Sequence, residues 1–149
     1  MKNKRIIYQE DDGTTAVIVP NSNCGLSLVE IAEKDVPIGK SYVIVNDTDL
    51  PQYRLFRNAW KITNGSIIVD LIKSKEIAHA VADLKIESDI EEIEKRKNIE
   101  FVKNSTIIDV DAELLKIKAK NITIKNNINN SNTVDDLYLA LETIGIQRR

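Results

Sequence analysis

One cysteine, one histidine, one tryptophan and one methionine are all that this 149-residue chain holds of four chemically distinctive residue types. The lone cysteine, Cys24, excludes an internal disulfide, and with the lone histidine, His79, it argues against a structural zinc site. Nucleophilic catalysis needs a nucleophile, a base and a group that orients the base. His79 is the one candidate imidazole, in "EIAHAVADL", where an ordinary partly buried or surface histidine is the simpler reading. Cys24 precedes Gly25 in a loop stretch with no histidine nearby and reads as a packed or incidental thiol. Five glycines, scattered singly, cannot write a phosphate loop or a dinucleotide fingerprint. No cofactor, no metal and no catalytic residue is therefore expected.

Long apolar runs are also missing. After the basic start "MKNKRIIYQEDDG" the apolar stretch is only Ile6-Ile7, too short for a signal-peptide core, and no segment has the length of a membrane span. A cytoplasmic protein without membrane contact is expected. Charge of one sign is lacking too: the net charge is -2, with a pI near 5.5, which supplies no global field for nucleic acid or an anionic membrane.

What is present is globular composition, 42% hydrophobic and 30% charged, in a chain sized for one domain or a small domain with a helical appendage. Arg5–Tyr8 and Thr14–Val19 read as two strands joined through Asp12-Gly13, with Pro20 ending the second. "SLVEIAEKDVP" reads as a short helix with Ser27 as N-cap and Glu30 closing a capping box. The continuous apolar run Tyr42–Val45 suggests a third strand, central in its sheet. Phe56–Ile62 and Ser66–Val69 read as two more strands meeting at Asn64-Gly65.

From Asp70 the period turns helical, through Ile77, Val81 and Leu84 and then, in a shifted phase, Ile86, Ile90 and Ile93. One long helix with a phase change near Glu87 is expected, followed by a helix capped by Asp109 or Asp111. Asp109-x-Asp111 offers too few oxygens for a divalent ion, and acids gather at helix starts anyway. A last helix should open at Thr133, with Asp136 as partner in an imperfect capping box, and stop at Gly145. The fold class expected is α+β: a small N-terminal antiparallel β-rich domain with one short helix over residues 1–70, then an all-helical region over residues 71–149.

The stretch "DLPQYRLFRNAW", Asp49 to Trp60, holds the only tryptophan, one of the two phenylalanines and one of the four tyrosines, together with two of the six arginines. If this segment is extended, Arg54, Phe56, Asn58 and Trp60 share one face, and Tyr53, Leu55, Arg57 and Ala59 the other. Phe56 and Trp60 are then structural, entering the core as large apolar anchors. A partner surface carried by Tyr53, Arg54 and Arg57 is the second reading, and a nucleic-acid surface the third.

The stretches "RIIYQEDDGTTAVIVP", "CGLSLVEIAEKDVPIGKSYVIVNDTDLP", "RLFRNAW" and "GSIIVD" before "KSKEIAH" resemble a group of small phage and prophage proteins encoded near tail or tail-fibre genes. These are loosely called tail assembly chaperones. The group's central pattern, approximately P-x-x-R-x-F-R-x-A-W, is matched by Pro51, Arg54, Phe56, Arg57, Ala59 and Trp60; its Ala- and Arg-rich C-terminal helices are here Ile-, Lys- and Asn-rich. The resemblance implies a non-enzymatic protein-interaction protein, a tail or tail-fibre assembly factor or a minor tail component. The alternative is a small nucleic-acid-binding or regulatory protein of a mobile element. Expected partners are proteins, among them a phage tail or tail-fibre protein or a second copy in a homo-oligomer, with Ile77, Val81, Leu84, Ile90 and Ile93 as the helical contact stripe; nucleic acid is disfavoured.

Overall fold

A computed structural model describes residues 3–103 and 110–147, with side chains left out of account over 97–103 and at 110. Over these residues the chain is α+β, as its patterning implied, and it divides into two compact units, residues 1–73 and residues 74–148.

In the first unit, strands β1 (Lys4–Gln9), β2 (Thr15–Ile18) and β3 (Tyr42–Asn46) form an antiparallel sheet in the order β2-β1-β3. Gly13, with φ of 79°, supplies the left-handed turn between β1 and β2, and Asp12 accepts from both the backbone and the hydroxyl of Thr14. The central strand is thus β1, and β3 lies at an edge, contrary to its apolar run. That run reflects burial on both faces, since Ile44 packs under a helix while Val45 is buried on the opposite side.

The register explains the layers. Ile6 pairs with Ile18 and Ile44, and Tyr8 with Ala16 and Tyr42, so these six side chains share one face. Helix α1 (Leu28–Asp35) covers it with Ile31 and Ala32, joined by Val36. The capping box that starts α1 is complete: Ser27 Oγ accepts from the Glu30 amide and Glu30 Oε2 from the Ser27 amide at 2.7 Å. The other face carries Ile7, Thr15 and Gln9. Against it comes the hairpin of β4 (Trp60–Thr63) and β5 (Ser66–Val69): Thr15 Oγ1 donates to the Trp60 carbonyl at 2.9 Å, and Gln9 Oε1 accepts from the Ile62 amide. Asn64, at φ 50°, and Gly65, at φ 77°, form the predicted reversal.

The strand expected over Phe56–Ile62 is shorter than read. Arg54–Ala59 is a 3-10 helix kinked at Phe56, and only Trp60 onward is extended.

Helix α2 (Leu71–Lys103) is one continuous helix of 33 residues that begins in the first unit. The single long helix expected from the pattern, with its phase change near Glu87, is therefore observed without a break at that point. Asp70 opens it, accepting from the Lys73 amide at 3.1 Å. Helix α3 (Val110–Asn130) carries Asp111 and Glu113 in its first turn, while the other capping candidate, Asp109, lies outside the described residues. α3 runs antiparallel to α2, fixed by Lys125 to Asp83 at 2.7 Å, Arg96 to Glu113 at 3.0 Å, and Lys75 Nζ to the Asn129 carbonyl. Helix α4 (Val134–Glu142) packs back on α3. Its capping box is fully reciprocal, Thr133 Oγ1 accepting from the Asp136 amide and Asp136 Oδ2 from the Thr133 amide.

The buried side of α2 is not the line of large residues seen in the sequence. Ser74, Ala78, Ala82, Ile86 and Ile93 are buried, four residues apart over the first three steps. Small side chains at that spacing allow close approach of neighbouring backbone. Ile124 and Ile128 of α3, Leu137, Tyr138, Ala140 and Leu141 of α4, and Ser131 and Ile144 are also buried among the described residues of this unit.

Candidate protein-contact surfaces

The 3-10 segment sorts the motif Asp49–Trp60 by a period of three instead of two. Tyr53, Phe56 and Ala59 fall on the inner side; Phe56 and Ala59 are fully buried and Tyr53 is half-buried. Trp60, 4% exposed, follows as the first residue of β4. Phe56 and Trp60 are therefore core anchors, as expected, but by a different route. Trp60 is held through its carbonyl, which accepts from Thr15, while its indole Nε1–H is buried without a hydrogen-bond partner.

Arg54 and Arg57 take the outer side of the same short helix and are exposed. They differ from the other described arginines, since Arg5 is paired with Asp47 at 2.9 Å and Arg96 with Glu113. Among the described residues, no carboxylate forms an ion pair with Arg54 or Arg57. The result is two fixed-charge guanidinium groups, three residues apart, on a turn whose foot is locked by Phe56, Ala59 and Trp60.

The helical stripe is divided. Ile93 is buried at 5% exposure, Ile77, Val81 and Ile90 are half-buried, and Leu84 stands 67% exposed. Two comparable residues on α3, Leu115 at 66% and Ile122 at 65%, belong to the apolar series Leu114, Leu115, Ile117 and Ile122 that reads as a helix in the sequence, but not to the expected contact stripe. Their spacing of seven was the available signal, masked by the lysines between them.

His79 Nε2 lies 2.9 Å from Asn129 Oδ1, in the seam between α2 and α3, and Cys24 is exposed in its loop. No group of three or more metal-ligating side chains occurs among the described residues, and no described helix is long and apolar enough to cross a membrane. A shallow groove of about 390 Å³ lies where α3 meets α4, lined by Asn127, Asn130, Asn132 and Asp136 and, on its apolar side, by Leu139 and Ala140. The Asp136 carboxylate is engaged by the amides of Asn132 and Thr133, which together with the Thr133 hydroxyl hold its pKa below the usual range.

Other shifted groups follow the same logic of local pairing. Lys40 bonds Glu10 and Asp11 at 2.9 and 3.0 Å across the first hairpin turn, which lowers the pKa of Glu10 and raises that of Lys40. Asp70 is lowered by its pairing with Lys61 and then by the Lys73 amide. These are devices that hold turns and helix starts.

No protein-family model, curated protein or solved structure matches the chain.

Proposed function

We propose that this is a non-enzymatic, phage-derived protein that acts through protein contacts, as a tail or tail-fibre assembly factor or a minor tail component. The observation that carries the reading is the arginine turn: Arg54 and Arg57 exposed and, among the described residues, engaged in no ion pair, on a segment whose other side is core. Arginine is enriched at protein interfaces because its planar fork pairs with carboxylates in two-point fashion and loses little freedom when its base is already fixed. The matching partner surface is an acidic segment. The phage context comes from the resemblance of the motif around Pro51–Trp60 to proteins encoded beside tail genes.

The nucleic-acid alternative would need aromatic faces open for base stacking next to the arginines. Phe56 and Trp60 are spent inside the fold, so the turn offers guanidinium groups without that pair of platforms. Mapping the gene's neighbourhood, which should hold tail or tail-fibre genes, and co-expressing the chain with their products tests the proposal. A stable complex with one of them, isolated by size-exclusion chromatography, is the expected result. Failure of every such protein to co-elute would overturn it.

A further inference from the structure

The outer faces of α2 and α3 carry opposite charge and leave large apolar side chains in water. Seven residues is nearly two helical turns, so Glu87 and Glu94 fall on one line of α2, and Leu115 and Ile122 on one line of α3. At 100° per residue the first line lies opposite the buried Ala78 and Ala82, and the second opposite the buried Ile124 and Ile128. The residues that join the helices, His79 and Asp83 on α2 and Lys125 and Asn129 on α3, fall between the buried and outer lines of each helix, so in an antiparallel pair both outer lines lie on the same side. Leu84 flanks the acidic line, and Lys118 flanks the apolar one. Among the described residues, no ion pair engages Glu87, Glu94 or Lys118. By contrast, Asp83, Arg96, Glu113 and Lys125 are consumed in joining α2 to α3.

We propose that this side of the α2–α3 hairpin binds a second copy of the chain, the acidic line of α2 in one copy lying on the lysine-flanked apolar line of α3 in the other. The proposal rests on the reading of the protein as one that acts through contacts, and it adds a partner at a surface separate from the arginine turn.

The register supports a two-fold arrangement. Within the hairpin, His79 is level with Asn129, Asp83 with Lys125 and Arg96 with Glu113. This places Lys118 level with Ile90, between Glu87 and Glu94, and Leu84 near Ile122. A two-fold axis along the hairpin sets α2 of one copy against α3 of the other at those same levels. Each lysine then meets two glutamates, the exposed leucines and isoleucines are covered, and the contact occurs twice by symmetry. Charge flanking an apolar seam selects the partner and its register, as the flanking positions of coiled coils do. The same arrangement placed α2 against α2 would set glutamate against glutamate, which disfavours that pairing.

The test is the mass of the full chain at high micromolar concentration by light scattering, with two charge-reversed variants at exposed positions. The wild-type chain should show the mass of two copies, weakening as salt is raised. Glu87→Lys/Glu94→Lys and Lys118→Glu should each shift the mass to that of one copy at the same concentration. An equimolar mixture of the two variants should recover the two-copy mass, because both symmetric contacts are again complementary; recovery also shows that each variant is folded. A one-copy mass for the wild-type chain overturns the proposal, as does a two-copy mass for either variant alone or a mixture that stays at one copy. None of these outcomes touches binding of a tail protein at Arg54 and Arg57, which the co-expression experiment reads separately.

Discussion

Trp60 shows how a single side chain can be correctly placed in the core for an incomplete reason. Its size, and that of Phe56, marked both as anchors in a chain poor in aromatics, and both are buried. The alternation that first grouped them assumed an extended segment, whereas Arg54–Ala59 coils with a period near three. Nothing local in "RLFRNA" distinguishes those states strongly, and the packing of Phe56 and Ala59 decides between them. Trp60→Ala should cost about 3–5 kcal/mol in urea unfolding, through lost burial and the cavity left behind. Trp60→Phe should cost far less, because it also removes an indole N–H that is buried without a partner. As the only tryptophan, Trp60 reports directly on the core, and its native emission should be blue-shifted from that of the unfolded chain.

Among the elements, starts and reversals were legible because their signals are local. Ser27 with Glu30, Thr133 with Asp136, and the glycines at 13 and 65 do what their chemistry implies. Ser27→Ala and Thr133→Ala should each lower stability by about 0.5–2 kcal/mol, read from thermal or urea melts. Elements whose character depends on distant neighbours were less legible. β3 carries the apolar run Tyr42–Val45 yet sits at the sheet edge, with Ile44 packed on the α1 side and Val45 buried on the other. The buried line of α2 begins Ser74, Ala78 and Ala82, which a search for large residues passes over in favour of Ile77, Val81 and Leu84. Which line of a helix is buried depends on what packs against it, and that information lies outside the helix's own sequence.

The capping acids also set the response to pH. Glu30, Asp49, Asp70 and Asp136 all have lowered pKa values in the folded chain, from backbone amides at Glu30, Asp49 and Asp136 and from Lys61 at Asp70. A lowered folded-state value means the unfolded chain binds protons first as pH falls. The stabilisation is therefore present above the ordinary carboxylate range and lost as pH drops through the folded values. Thermal midpoints should be level from neutral pH to about pH 5 and fall below about pH 4. Asp136→Asn should flatten part of that fall. A midpoint that rises on acidification would contradict the assignment.

For the molecule as a whole, the division into residues 1–73 and 74–148 separates two kinds of surface. The first unit has its own layered core, with α1 on one face of the sheet and the β4–β5 hairpin tied to the other. Residues 1–73 expressed alone should fold cooperatively, with the tryptophan emission of the full chain; an unfolded circular dichroism spectrum would show that the helical residues are needed. What the first unit presents outward is Arg54 and Arg57, legible as candidates from the start because arginine beside aromatics is rare in this chain. Their freedom from internal ion pairs depends on where every carboxylate settles, and sequence could not supply it. The most direct test is the affinity of the chain for the tail or tail-fibre protein isolated by co-expression, compared with Arg54→Glu/Arg57→Glu at matched thermal stability. The account predicts tight binding by the wild-type chain and a loss of about a hundredfold or more for the double reversal. Equal binding by both, or no tail protein bound by the wild-type chain, would contradict it.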